Sequence, residues 1–289
     1  MSMIDQAPTK RPEWLKVRVP SGKNYTELKT IMQEHNRNTV CEEARCPTLA
    51  ECWGHRTATF MILGDTCTRA CGFCAVKTGR PLTLDLLEPD RVAQAVERMG
   101  LKHVVVTSVN RDDQPDGGAR VFAATIRKIR ARVPDCTVEI LTPDFEGVRA
   151  SLEVVLQAKP DVYNHNIETV ERLTRLVRRR ARYSRSLEVL RAAKEVVPGI
   201  RTKSGLMMGL GETREEVTAT LHDLRAADVD ILTIGQYLRP TPDHLDVVRY
   251  YHPDEFVDLK SESLALGFRH VESGPLVRSS YHAHEHAAI

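Results

Sequence analysis

The chain reads as an α/β protein: parallel strand–helix units forming a partial (β/α)6 barrel. Three observations predict this. Six short apolar, β-branched runs recur (Phe60–Leu63, His103–Val109, Thr137–Thr142, Val162–Asn166, Thr202–Met208, Ile231–Gly235). Five helix-like stretches separate them (Asp90–Met99, Ala119–Arg132, Glu146–Ala158, Ser186–Val197, Thr213–Ala227). Boundary signals mark the joins: Pro89 before the first helix, Gly100 after it, and the capping-box pattern Thr213-Arg-Glu-Glu216. Strand–helix–strand repeats give parallel pairing with right-handed crossovers. Six units are fewer than the eight of a complete barrel, which favours a partial one. A doubly wound sheet is the main alternative.

Residues 1–58 are polar, Pro-bearing and without a clean period, and read as an N-terminal extension. Residues 59–245 hold the strand–helix core. Residues 246–289 add a helix at Asp254–Leu266, after Pro253, and a short polar, His-rich tail. Among 289 residues, 42% are hydrophobic, enough for a sizeable core. Lys+Arg 41 against Asp+Glu 39 leaves a net +2, which argues against nucleic-acid binding driven by bulk charge. No apolar run approaches a membrane span and residues 1–18 show no secretory h-region, so a cytoplasmic protein is expected.

Six of the seven cysteines lie between Cys41 and Cys74. In an enzyme-sized chain such a cluster reads as metal ligation or redox chemistry rather than a disulfide scaffold. The second triplet, Cys67-Thr-Arg-Ala-Cys71-Gly-Phe-Cys74, follows the first strand, where parallel α/β folds build their sites. Three thiolates hold three corners of a 4Fe–4S cluster and leave one iron open. A structural zinc site wants four closing ligands. The first triplet, Cys41-x4-Cys46-x5-Cys52, is not a zinc-finger spacing; its bland reading is a zinc closed by His35 or His55. Cys136 stands apart and reads as a small buried hydrophobe.

The Cys-x3-Cys-x2-Cys loop, with Phe73 before its last cysteine, resembles the signature of the radical S-adenosylmethionine (SAM) superfamily. That resemblance implies a barrel of the radical SAM type whose opening the two extensions cover. It also implies that SAM chelates the open iron, is cleaved to methionine and a 5′-deoxyadenosyl radical, and lies with its adenine near Phe73. The two triplets in this order, with Arg278-Ser279-Ser280-Tyr281 near the C-terminus, are similar to the lipoyl synthase family. The similarity implies an auxiliary 4Fe–4S cluster on Cys41, Cys46 and Cys52, with Ser280 as its fourth ligand and Ser279 as the fallback. A hard serine oxygen matches cluster iron less well than thiolate, so this ligand is expected to help the cluster open.

The implied reaction inserts two sulfur atoms, at carbon 6 and carbon 8 of a protein-bound octanoyl chain, with the auxiliary cluster as sulfur donor and SAM consumed. Unactivated carbons are beyond acid–base chemistry and need a cofactor. The implied partners are octanoylated lipoyl carrier domains, an electron donor such as ferredoxin or flavodoxin, and an iron–sulfur carrier for cluster repair; no nucleic acid and no membrane. Rival readings are a biotin synthase-like enzyme, a methylthiotransferase, a non-enzymatic iron–sulfur carrier and a zinc-stabilised module.

Other segments are expected to shape the SAM pocket. Gly117-Gly118 resembles a Gly-Gly-Glu motif, with Ala119 in place of the acid; otherwise it is an ordinary turn. Asn164, Asn166 and Glu168 end the fourth strand, a site-lining position whose bland reading is a capped turn. Asn110–Asp113, Lys203-Ser204 and Gln236–Pro240 occupy comparable places. Gly209-x-Gly211 is no full dinucleotide fingerprint, because Arg214 takes the third glycine position. The basic run Arg178–Arg182 reads as a solvated loop, or more sharply as an anion site. His282, His284 and His286 invite a metal reading, but a frayed, exposed tail is the expectation.

Overall fold

The computed structural model describes residues 10–16, 51–52 and 56–286. Seven strands form one parallel sheet in the order β1-β4-β5-β6-β7-β8-β9: β1 Thr57–Ile62, β4 His103–Ser108, β5 Thr137–Leu141, β6 Val162–Asn164, β7 Arg201–Met208, β8 Ile231–Gln236 and β9 His270–Gly274. A two-residue ribbon, β2 (Thr66–Cys67) with β3 (Lys77–Thr78), stands beside it. The helices are α1 Glu88–Arg98, α2 Ala119–Arg132, α3 Arg149–Leu156, α4 Glu171–Val177, α5 Tyr183–Val196, α6 Arg214–Ala226, α7 Pro253–Ala265 and α8 Ala283–His286. All six expected strands are present. The expectation missed β9 and α4. β9 reads His-Val-Glu-Ser-Gly, with a single apolar residue, and α4 is seven residues long with no side-chain cap.

Register explains the polarity of the strands. Partners in a parallel pair point to the same face. Thr59, Val105 and Glu139 are in register, as are Leu141, Asn164 and Lys203, and Gly205, Thr233 and Glu272. One face thus carries most of the polar strand side chains, His103 and Thr107 among them. The other carries Ala58, Phe60, Ile62, Val104, Val106, Val138, Ile140, Leu206, Met208, Leu232 and Ile234, all buried in the core with helix residues such as Val92, Val96, Phe122 and Ile126. The sheet curls around its polar face. α8 packs on β4, while its Glu285 carboxylate lies within 4.8 Å of the ligand atoms of His270 and Glu272 on β9. Strands near opposite edges of a sheet reach one four-residue helix only around a lumen. Among the described residues no pairing joins β9 to β1, so the barrel is partial.

Helix ends follow from the sequence. Thr213 and Glu216 form a capping box on α6, and His252 with Glu255 forms another on α7, where Pro253 takes the first turn. Glu88 at the start of α1 accepts the Leu63 N–H at 2.8 Å, fixing the loop that leaves β1. Among the described residues, no helix is long and apolar enough to cross a membrane.

Candidate active site

Cys67 ends β2, and its carbonyl accepts the Gly79 N–H at 3.0 Å, so the ribbon opens the cysteine loop in a fixed direction. Gly72 donates to Val177 at 2.9 Å and accepts from Leu245 at 3.0 Å. A Cβ on Gly72 would lie 2.8 Å from the Leu245 side chain, which is why glycine stands there. His244 Nε2 binds the Cys74 carbonyl at 2.9 Å. Arg69, inside the loop and buried, pairs with Asp112 and Asp144, each at 2.7 Å. Thr68 donates to Asp112 and to the Asn110 carbonyl, each at 3.0 Å. The loop is thereby clamped to the loops after β4 and β5.

The donor set fits an iron–sulfur cluster. No disulfide joins any two of Cys52, Cys67, Cys71, Cys74 and Cys136. Backbone N–H groups of Arg69 and Asn110 point at Cys67 Sγ from 3.4 and 3.3 Å. Burial pushes the Cys71 thiol up to about 12, with Arg178 opposing and Cys74 and Cys67 adding to the rise. A bound cation reverses that logic. Tetrahedral zinc would draw sulfurs to roughly 3.8 Å of one another, from zinc–sulfur bonds of about 2.3 Å. Among the described residues, only His270, Glu272 and Glu285 gather ligand atoms within 4.8 Å, so the three sulfurs are spread wider than one ion needs.

Phe73 is half-buried and packs on the core. Gly117 and Gly118 both have positive φ, 60° and 90°, and lead into α2. Gly117 lines a cleft with Asn110, Asp112, Phe145 and Glu146, whereas a Cβ on Gly118 would overlap the Leu63 side chain. Asn164 donates to Glu139 at 3.0 Å, and Asn166 to Glu168 at 3.0 Å. The side-chain oxygens of Asn110, Asn164 and Asn166 are buried with no protein partner. Such atoms mark a place for a polar ligand. Burial raises the Glu168 carboxyl, with Arg178 opposing, and Glu168 also bears on the Cys71 charge. His165, between the two asparagines, points away: it binds Thr142 O at 2.9 Å and Ser186 Oγ at 3.0 Å, and burial lowers it to about 4.

Deeper in the lumen, Lys203 and Glu139 form an inaccessible pair at 2.9 Å. Burial lowers the Lys203 pKa, while Glu139, Glu272 and the Cys52 thiol raise it. His103 Nε2 lies 3.9 Å from Glu139, and burial with Lys203 and His284 lowers the ring to about 3. Cys52 is buried here. Cys41 and Cys46, with His35 and His55, lie outside the described residues. The C-terminal tail reaches the same region: Tyr281 Oη and His282 Nε2 each bind Glu51 Oε1 at 3.0 Å. Ser279 and Ser280 are half-buried between Arg278 and Tyr281.

Two expectations are corrected. The tail is not frayed over residues 281–285: Ala283 is fully buried and His282 and His284 are partly so, because α8 fills the lumen. The basic run is not simply solvated. Arg178 is buried and donates to Ile167 O and Ser186 Oγ, and Arg180 reaches Asp112 at 3.5 Å. The Gly209–Glu212 turn is closed on itself, with Glu212 accepting from Gly209 and Leu210. Arg69, Asp144, Glu139 and Glu51 were not singled out from sequence. Only Arg69 carried a signal, a charge inside a cysteine loop bound for burial.

The Radical SAM superfamily model matches residues 61–224, and the model of the N-terminal domain of lipoyl synthase matches residues 4–46. Lipoyl synthase of Rubrobacter xylanophilus is 65% identical over 95% of this chain and 86% of its own length. That of Shouchella clausii is 61% identical over 96% and 90%. Among solved structures, methylornithine synthase superposes with a TM-score of 0.53 at 14% identity, covering 86% of this chain and 81% of that one. A maturase of the [FeFe]-hydrogenase gives 0.58 at 13%, covering 89% and 73%. These two show the fold alone.

Proposed function

Because the chain belongs to the lipoyl synthase family of the radical SAM superfamily, we propose that it inserts two sulfur atoms, at carbon 6 and carbon 8, into an octanoyl group carried on a lipoyl carrier domain. When bound, two 4Fe–4S clusters and SAM supply a carbon-centred radical that takes hydrogen from unactivated carbon, and the sulfur that replaces it. Cys67, Cys71 and Cys74 would hold the cluster that SAM completes. Cys41, Cys46 and Cys52, with Ser280 or failing that Ser279, would hold the auxiliary one.

One observation carries this reading. The thiols of the second triplet, with no disulfide among them, sit where the strands end, and Cys52 of the first triplet is buried beside the Arg278–Tyr281 segment, tied to it through Glu51. Arg69 and Thr68 hold the loop rigid before any iron arrives. The Asn164 and Asn166 oxygens and the Glu168 carboxylate face the upper lumen, where they would receive the ammonium and hydroxyl groups of SAM. Phe73 and Gly117 would border the adenine and methionine parts, and Gly118 lets the Gly117 turn settle against Leu63. The apolar outer face is sealed by its helices.

The same reading divides the chain into residues 1–58, 59–245 and 246–289. It gives it an electron donor of the ferredoxin or flavodoxin kind, an iron–sulfur carrier for repair, and a cytoplasmic setting. The test is anaerobic incubation with an octanoylated carrier peptide, SAM and a reductant, followed by mass spectrometry. A gain of two sulfurs less two hydrogens is expected; a single sulfur, or methylthio transfer, would favour the rival enzymes.

A further inference from the structure

Gly235 lies near the end of β8, in register with Met207 and Gly274, on the face that looks into the lumen. A Cβ placed on it would overlap the carbonyl oxygen of Val277 and lie 3.1 Å from the carbonyl carbon. That obstacle is backbone, which cannot rotate aside as a side chain can. The chain beyond β9 therefore enters the lumen across a wall that only glycine leaves low enough. Its path is fixed from there. Val277 N donates back to Gly274 O at 3.1 Å, Arg278 donates to Val277 O at 2.7 Å and to Gln236 O at 3.3 Å, and Tyr281 N closes a turn on Arg278 O at 2.9 Å. At the far end Glu51 takes Tyr281 and His282. Ser279 and Ser280 lie between these two anchors.

We propose that Gly235 is a positioning residue for the auxiliary-cluster site: its missing side chain sets how deeply the Val277–Tyr281 strap enters the lumen, and so where the Ser280 hydroxyl meets the centre held with Cys52. This rests on the function proposed above. Gly274 makes the contrast. A Cβ there would meet only the Val277 Cγ2 at 3.3 Å, a side-chain methyl that can give way.

The experiment compares wild type, Gly235→Ala and Gly274→Ala. Amide hydrogen exchange of the cluster-free chain reads the strap directly. Gly235→Ala is expected to speed exchange over residues 277–285 by about tenfold or more, with the β4–β7 core unchanged. After anaerobic reconstitution, iron and sulfide analysis with Mössbauer spectroscopy should show one cluster instead of two, the one on Cys67, Cys71 and Cys74 remaining. Gly274→Ala should match wild type in both. Two clusters and a protected strap in Gly235→Ala overturn the proposal. So does loss of both clusters together, since the substitution would then disturb the barrel rather than the strap. A wild-type chain that takes up only one cluster refutes the two-cluster reading instead, and the exchange result still decides whether Gly235 seats the strap.

Discussion

The Tyr281 hydroxyl donates to the Glu51 carboxylate at 3.0 Å across 230 positions of sequence, and so joins the residue after Ser280 to the residue before Cys52. His282 shares the same oxygen. The Glu51–Cys52 segment and the C-terminal tail thus meet at one carboxylate. Tyr281→Phe is expected to cost only about 1 kcal/mol of global stability, because both partners are partly exposed. It should nonetheless open the tail to limited proteolysis; an unchanged cleavage rate would show that His282 alone suffices.

Arg69 is a second joint. Arg69→Met would strip the buried Asp112 and Asp144 carboxylates of their central partner, at a cost of about 3–5 kcal/mol. Arg69→Lys should recover part of this, since lysine carries the charge without the fork that grips two carboxylates. Denaturant titration gives the stability. Iron uptake by Cys67, Cys71 and Cys74 should fall with Arg69→Met even below its unfolding midpoint, because the loop loses its clamp.

Acid stability follows from the same pair. Burial alone would raise the Asp144 carboxyl, but the hydrogen bond and charge of Arg69 outweigh it and hold the group well below the usual carboxylate range. A depressed folded pKa contributes stability that is full above the unfolded value of about 3.9. That contribution is lost as pH falls below it, toward the folded value. Asp144→Asn should therefore flatten the acid limb of the stability–pH curve, measured by thermal unfolding from about pH 5 down to about pH 2. An unaltered slope would place the acid sensitivity elsewhere.

The Lys203–Glu139 pair is inaccessible to solvent. Lys203→Met alone leaves a buried carboxylate and is expected to cost about 3–5 kcal/mol. Lys203→Met with Glu139→Gln should cost less than the single change, since no charge is then stranded. A double-mutant cycle in urea measures the coupling.

Cys136 provides the control for metal chemistry. Its Sγ lies 3.6 Å from the Thr137 carbonyl, in the core, and burial pushes its thiol up to about 12. Cys136→Ala should leave iron content unchanged and cost about 1 kcal/mol. Cys71→Ala should remove the iron associated with SAM binding while leaving the fold intact.

How much of this was legible in sequence differs by element. The strand runs and α2 were readable because period and boundary residues act locally: Ala119–Arg132 was placed with the ends the structure gives it. The cysteine triplets were readable because ligand spacing within a loop is a local property. β9 was not, since His270 and Glu272 turn into a polar lumen and break the apolar run that announces a strand. Nor was the histidine tail, because burial of residues 282–284 depends on a curled sheet whose lumen α8 enters.

The amino-acid order by itself determined the α/β units, their parallel pairing and the two sets of three thiols, all of which arise from residues close in the chain. Only the tertiary structure decided that Arg69 reaches two other loops, that Lys203 finds Glu139, and that Glu51 holds Tyr281. Those contacts join residues tens to hundreds of positions apart. The Arg69 and Lys203 pairs each offset the cost of burying charge, and they form only once the sheet has curled and its loops have met, an arrangement that no window of sequence contains.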